Sequence, residues 1–466
     1  MEESNPQNGR IVSAKRLQSS SIQPAEKKME ESRLENGGTV LVKRSKPSSI
    51  QPETETCKER NYFLCNLDHA VVTLMKTVYI YKVDGQKSGE SASDVIKQAL
   101  AKVLVHYYPL AGRLRRSSDG RLSVECKNND SYGVPFVEAV ADCEIEKLGD
   151  ITVPDTAMLE KFVYEVPGVE NILEMPLLTA QVTRLKCGGF VLGLTINHCI
   201  ADGTSAMEFV NSWAETARGV TLTNPPALDK SILMSTQAGE NSLSISIPEI
   251  SDVSNLESLY QEEQMVYKSF SFDQNKLAGL KKSAMENGDM SYCSSFTALA
   301  ALLWRLRSQA LKMKPEQQTR LVFTVDIRPK LKTTPLPKGF FGNGALTADC
   351  VCTAGELIEK PFSFAAKAVQ NAIQRVNEDY IRSYIDNFDI HATPSFTATL
   401  VITSWTRIPF NTADFGWGEP TQFGSIAIPK EVGLFIPEGK GKNGIILVLG
   451  LPVSAMKTFQ ELISSI

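Results

Sequence analysis

The sequence predicts an α/β protein built from two domains, and three observations carry that expectation. The chain has 466 residues, more than one hydrophobic core usually serves, so two units of roughly 200 residues are the prior. Strand-like and helix-like segments alternate in both halves, the order that lays helices over sheets. Between the halves, residues 220 to 265 are polar, carry prolines and show no clear periodicity, as a crossover between domains would.

The chain opens on a tandem duplication with a period of 28: MEESNPQNGRIVSAKRLQSSSIQPAEKK is followed by MEESRLENGGTVLVKRSKPSSIQPETET. Two copies this poor in apolar residues cannot stack a core, so the repeat is not a solenoid. Residues 1 to 39 are expected to be a disordered tail, with residues 1 to 28 fully mobile. Val40 to Val42, in the copy that adjoins the folded part, is the better candidate for a docked strand. Met29 could itself serve as a start.

The first domain is expected to span residues 40 to 219. After an apolar run from Ala70 to Tyr81, SDVIKQALAKVLVHYYPLAGRL places Val95, Ile96, Leu100, Val103 and Leu104 on one helical face, and Pro109 ends the helix. LLTAQVTRL, the turn KCGG and FVLGLTINH form a β-hairpin whose second strand delivers His198 at its end. SAMEFVNSWAETARG spaces Ala206, Phe209, Val210, Trp213 and Ala217 as a helix and stops at Gly219. In the second domain, residues 266 to 466, CSSFTALAALLWRLRSQAL and KPFSFAAKAVQNAIQRV are helices, LVFTVDIRP is a strand and IILVLGL a closing buried strand.

Composition narrows the function. Charged residues make up 22% and the net charge is −4, which leaves no electrostatic footprint for nucleic acid. Nine cysteines, an odd number without a CxxC pair, and a start without an apolar signal segment predict a reducing, cytoplasmic setting. Ile445 to Val453 and Ala298 to Trp304 fall far short of the ~18 apolar residues needed to span a bilayer.

TINHCIADG, residues 195 to 203, raises the chemical question. With only four histidines, at 69, 106, 198 and 391, a multi-histidine metal site is hard to assemble, and no HExxH stands nearby. Two readings stay open: a core imidazole bonded to a carbonyl, or a base whose ordinary pKa of about 6.5 suits it to take a proton from a hydroxyl. Ser205 and Glu208 are expected to cap the following helix as a capping box, which would leave Asp202 free for another partner. Cys199 should face away from whatever His198 meets, since neighbouring strand residues point to opposite faces.

NHCIADG is matched downstream by DFGWGEP, residues 414 to 420, and the pair resembles the plant BAHD acyl-CoA-dependent acyltransferases. HYYPLAGRL (106 to 114), SSFTALAALLWR (294 to 305), VDIRP (325 to 329) and PKGFFGNG (337 to 344) resemble family segments in the same order. NLDHAVVTLMKTVYIYK and PSFTATLVITSWTRIPFNTADFGWGEP look closest to members that acylate ω-hydroxy fatty acids or fatty alcohols with hydroxycinnamoyl groups. The chain departs from the family pattern in VDIRP, in GFFGN and in His69, where glutamine is frequent.

The resemblance implies two chloramphenicol-acetyltransferase-like domains with mixed sheets flanked by helices and a channel between them, His198 at its middle. It implies acyl-CoA as co-substrate with no resident cofactor or metal, His198 as general base without an acyl-enzyme, and a monomer. Asp202 would turn away and pair with Arg328, with Gly203 in the turn. Thr403 and Trp405 would line the acyl and acceptor site, the indole as a hydrogen-bond donor. Asp414 is a candidate second proton acceptor, although Phe, Gly416 and Trp417 beside it suit a packed turn. Ser295, Gly342 and Asn343 are candidates for contacts to CoA.

The implied acceptor is a long-chain aliphatic alcohol, with shikimate, quinate or a polyamine as alternatives, and a non-catalytic role in fatty acid elongation as a different class. Shikimate-using relatives place an arginine shortly before the TSW strand, and this chain has none between Asp389 and Trp405. An anionic acceptor would then forgo a charge-assisted bond worth about 1.5–3 kcal/mol.

Removing residues 1 to 28 is expected to leave both the melting temperature and the transfer rate unchanged, because the adjoining copy keeps the docking segment. Loss of soluble protein on truncation would show that the first copy docks.

Overall fold

A computed structural model of the chain describes residues 40–54, 60–83, 89–127, 132–235, 249–288, 290–387, 396–439 and 441–466. The expected tail, residues 1 to 39, lies outside the described residues, as does the stretch 388–395 within the segment before TSW. Two mixed sheets, each flanked by helices, form the body, as the sequence predicts.

The first sheet has seven strands. Its order runs Val42–Arg44, Val134–Ala141, Leu178–Arg184, Phe190–Asn197, Leu74–Tyr81 and Gln422–Ser425, with Ser48–Ile50 also on Val134–Ala141. The docked strand expected at Val40 to Val42 begins two residues later, at Val42, while Val40 itself is buried. Arg44 fixes the segment by donating to Gln181 Oε1 (2.8 Å) and to the carbonyl of Val163 (2.9 Å). The predicted hairpin is present: Leu178–Arg184 pairs antiparallel with Phe190–Asn197, and the helix Gly203–Ala217 follows. Gly193 sits in the centre of the second strand because the Phe162 carbonyl occupies the space a Cβ would need.

The second sheet orders Met265–Phe272, Ile445–Pro452, Val432–Pro437, Thr399–Ser404, Gln318–Asp326 and Ala345–Thr353. The helix Ser295–Ala310 is apolar on almost every face and lies at the centre of this half's core. Ser294 caps it by accepting from Thr297 N at 3.0 Å. A third sheet of Arg60–Phe63, Leu122–Cys126 and Arg113–Arg116 packs into the first core.

Sheet membership does not follow chain order. Gln422–Ser425, from the far end of the chain, pairs antiparallel with Leu74–Tyr81 and completes the first sheet. The crossover is also more than a linker. Within residues 220 to 265 the helix Leu256–Glu262 forms, and Lys230 is buried at 4% exposure. Periodicity could not show this, because a single buried ion pair leaves no repeating pattern. No helix among the described residues is long and apolar enough to cross a membrane.

Candidate active site

His198 stands one residue beyond the strand Phe190–Asn197, where the chain leaves the sheet and turns into the helix Gly203–Ala217. Its backbone N–H donates to Thr73 O at 2.7 Å. The ring keeps part of its surface open, yet protein surrounds the rest, and this desolvation holds its pKa below the ordinary 6.5. Bonds from its own backbone and from Asn343, and the fields of Asp202 and Asp68, work the other way without prevailing. The imidazole is therefore neutral at pH 7, the state a general base needs.

Asp202 does cap the helix, contrary to the sequence expectation: its Oδ1 accepts from Ser205 N at 2.9 Å. Ser205 is the third residue of that helix and cannot be its cap. Its hydroxyl accepts instead from Arg328 Nη2 (3.1 Å) and lies 2.9 Å from Gly342 O, while Glu208 accepts from Asn224 Nδ2 (3.1 Å). The expected pair with Arg328 is also present and is bidentate, at 2.8 Å to Oδ2 and 3.0 Å to Oδ1. Gly344 N–H adds a bond of 2.8 Å to Oδ2. Burial alone would raise the carboxyl pKa, but Arg328 and the N–H donors pull it below the usual range.

Glycines make room for these contacts. A Cβ on Gly344 would stand 2.5 Å from Arg328 Cζ, and one on Gly342 would stand 2.9 Å from Lys230 Cε. Between them Asn343 is buried and fully used: Nδ2 donates to His198 O and to Asp68 Oδ1, both at 2.9 Å, and Oδ1 lies 3.2 Å from His198 Nδ1. Asp68 is itself buried and accepts from Lys230 Nζ at 2.7 Å and from Cys65 N at 2.8 Å. Burial pulls the Lys230 pKa down, yet Asp68, Tyr62 and Cys65 outweigh it and hold the ammonium protonated.

Sequence reasoning missed Asp68 and Lys230. The available signals were an aspartate inside the apolar run FLCNLDHAVV and a lysine in PALDKSILM.

Phe340 belongs to the core of the second half and Phe341 to the core of the first, so PKGFFGNG is the seam between them. Gly203 brings the His198 turn against the segment after TSW, since a Cβ there would lie 2.8 Å from Ile408 Cδ1. Thr403 is the penultimate residue of the strand Thr399–Ser404, half-buried. Trp405 packs on Phe410 with centroids 5.0 Å apart and touches both the first core and the small cluster around Leu434.

Asp414 Oδ1 accepts from Gly416 N (2.7 Å) and Gly418 N (2.8 Å), which folds DFGWG into a closed turn. Gly416 takes φ 103°, a conformation that favours glycine. Phe415 is buried edge-on to Trp213 at 5.4 Å, Trp417 meets Phe190 at 5.4 Å, and Tyr81 Oη donates to Ala413 O at 2.7 Å. Ser295 opens the helix Ser295–Ala310, half-buried. Cys199 is wholly buried, and desolvation followed by the field of Asp68 pushes its thiol up, so no thiolate nucleophile stands beside His198. Among the described residues no group of three or more His, Cys, Asp or Glu could hold a metal.

A neutral histidine at a strand end, beside a buried thiol kept protonated and an aspartate spent on structure, can take a proton from a hydroxyl but has no thiolate nucleophile next to it. The family model described as the Transferase family matches residues 40–465, and the chain belongs to that family, the BAHD acyltransferases. It is an acyltransferase whose co-substrate is an acyl-CoA.

Among its relatives, omega-hydroxypalmitate O-feruloyl transferase of Arabidopsis thaliana is 50% identical over 415 residues, 88% of this chain and 90% of that protein. Fatty alcohol:caffeoyl-CoA acyltransferase of the same plant is 46% identical over 418 residues, 87% and 94%. Of solved structures, vinorine synthase superposes with a TM-score of 0.71 at 24% identity, covering 91% of this chain and 98% of that one, which shows the fold.

His198→Ala is expected to keep the fold and cut turnover by at least about a hundredfold, and wild-type kcat should fall on the acid side only, with its midpoint below pH 6.5. A variant that keeps a tenth of the activity would remove His198 as the base. Asp202→Asn is expected to lose activity together with about 3 kcal/mol of stability in denaturant titration, because Arg328 is left without its bidentate partner. Unfolding like wild type would show the pair to be energetically idle.

Proposed function

We propose that the protein transfers a hydroxycinnamoyl group, feruloyl, caffeoyl or coumaroyl, from CoA to the hydroxyl of an ω-hydroxy fatty acid or a fatty alcohol. What carries this reading is the identity of 50% and 46% to two enzymes named for those donors and acceptors. Two further observations support it. No arginine or lysine stands between Asp389 and Trp405 to hold the carboxylate of shikimate or quinate. Val72, Met75, Trp405 and Ile408 are partly exposed apolar side chains that pack on the core containing Cys199 to Ala201, apolar surface of the kind an alkyl chain takes.

In this reading the alcohol attacks the thioester carbon while its proton passes to His198, giving a tetrahedral oxyanion. The collapse of that intermediate expels the CoA thiolate, to which His198 returns the proton. The thioester is already activated, so no acyl-enzyme is needed. A base in this position supplies roughly 10²–10⁴-fold, and donors aimed at the oxyanion a comparable factor. Thr403 and Trp405 are our candidates for lining that site. Ser295 and the Gly342–Asn343 turn remain candidates near CoA, with the Asn343 side chain already committed to His198 and Asp68. Asp414 acts as a structural buttress rather than a second base, as its two bonds to glycine N–H groups suggest. One chain supplies every candidate site residue, which supports a monomer, and the odd number of cysteines without a CxxC pair supports a cytoplasmic setting.

A panel of feruloyl-, caffeoyl- and coumaroyl-CoA against 16-hydroxypalmitate, primary alcohols of graded length, shikimate and spermidine tests this. Each buried methylene contributes up to about 0.8 kcal/mol, so kcat/KM should climb with chain length and, at about C12 to C18, exceed that for shikimate or spermidine by more than about tenfold. Equal or better activity on shikimate would overturn the acceptor and leave the acyltransferase standing.

A further inference from the structure

The structure assigns the buried pair Asp68–Lys230, acting through Asn343, the task of fixing the His198 tautomer so that Nδ1 carries the proton and Nε2 is left bare to act as base. This rests on His198 being the base and adds the positioning residues that make it one.

Asp68 is fully buried at 0% exposure and its partner Lys230 at 4%. Lys230 Nζ donates to Oδ2 at 2.7 Å in a buried ion pair, and the carboxylate of such a pair can only accept. Both groups that Asn343 presents to Asp68 Oδ1 must therefore be donors, and they are: Nδ2 at 2.9 Å and the backbone N–H at 3.3 Å.

The same Nδ2 also donates to His198 O at 2.9 Å. With the amide nitrogen committed to two acceptors, the amide cannot flip, and its oxygen is the atom that faces His198 Nδ1 at 3.2 Å. An oxygen in that place accepts, so Nδ1 must be the protonated ring nitrogen. No protein group among the described residues bonds to Nε2.

The backbone geometry supports the assignment. Asn343 lies between Gly342 and Gly344, over which the stem of Lys230 and the guanidinium of Arg328 pass. Asn343 is held between two ion pairs, Asp68–Lys230 and Asp202–Arg328, whose two carboxylates both act on the ring. Asp202 has all its contacts with Arg328, Ser205 N and Gly344 N and none with the imidazole. Tautomer control thus comes from Asn343 on the side of Asp68, together with the bond to the His198 backbone, and not from the aspartate in the same motif as His198. Tyr62 closes the far end, its ring 5.0 Å from Lys230 Nζ.

The protein has four histidines, so ¹⁵N-histidine labelling with His198→Ala as the assignment control reads the tautomer directly. In wild type at neutral pH, His198 should show a protonated Nδ1 and a bare Nε2. In Asn343→Leu the ring should become a mixture of tautomers, with kcat reduced at least about tenfold and the KM of the alcohol within about twofold of wild type. Without the Asn343 acceptor the acid limb of kcat should also move to lower pH, since that bond favours the charged ring.

Should Asn343→Leu fail to fold, the double variant Asp68→Asn/Lys230→Met removes both charges together. It should show the same shift toward Nε2–H, because an amide at position 68 lets Asn343 flip. A wild-type ring protonated at Nε2, or a folded variant of either kind with an unchanged tautomer, overturns the assignment. Full activity in His198→Ala would instead overturn the base itself, whatever the tautomer.

Discussion

The Asp202 carboxylate takes four hydrogen bonds from three parts of the chain: Ser205 N of its own helix, both terminal nitrogens of Arg328, and Gly344 N. Burying a carboxylate is costly unless its lone pairs are used and a countercharge is close, and here both conditions hold. The consequence is geometric. The turn that carries His198 is tied to the loop that carries Asn343, although 145 residues separate the two positions. A histidine held in this arrangement exists only once both halves of the molecule have assembled.

The second buried pair, Asp68–Lys230, repeats the device on the other side of Asn343. Lys230 comes from the crossover, and Asp68 from the short helix Asn66–His69, whose Asn66 reaches across to Ile385 O at 2.6 Å. The two cores meet at the dipeptide Phe340-Phe341, one ring in each. Apolar burial and ion pairing therefore converge on the same five residues, 340 to 344. Small residues are needed there because cationic side chains lie across the backbone.

DFGWG shows a different use of an aspartate. Asp414 is spent on closing its own turn, and Phe415 and Trp417 carry that turn into the first core against Tyr81, Phe190 and Trp213. The chain leaves the second sheet after Thr399–Ser404, packs this turn, adds Gln422–Ser425 to the first sheet, and returns at Val432–Pro437. The excursion fastens one sheet to the other and holds Trp405 between two apolar clusters.

The sequence by itself determined the α/β class, the hairpin that presents His198, the helix after it and the helix Ser295–Ala310, because periodicity and motif spacing are local signals, whereas Arg328 as the partner of Asp202 came from the family resemblance. It erred on the helix cap. Both Ser205 and Asp202 are good caps by type, and only the register of the first turn decides between them. Tertiary structure alone decided that Asp68 and Lys230 belong to the site, that Asn343 faces the His198 ring, and that Gln422–Ser425 joins the first sheet. Each of these is a single contact between residues far apart in the chain, and such a contact leaves no period or spacing to read. Its energy comes from burial and charge pairing that exist only when the chain has closed upon itself.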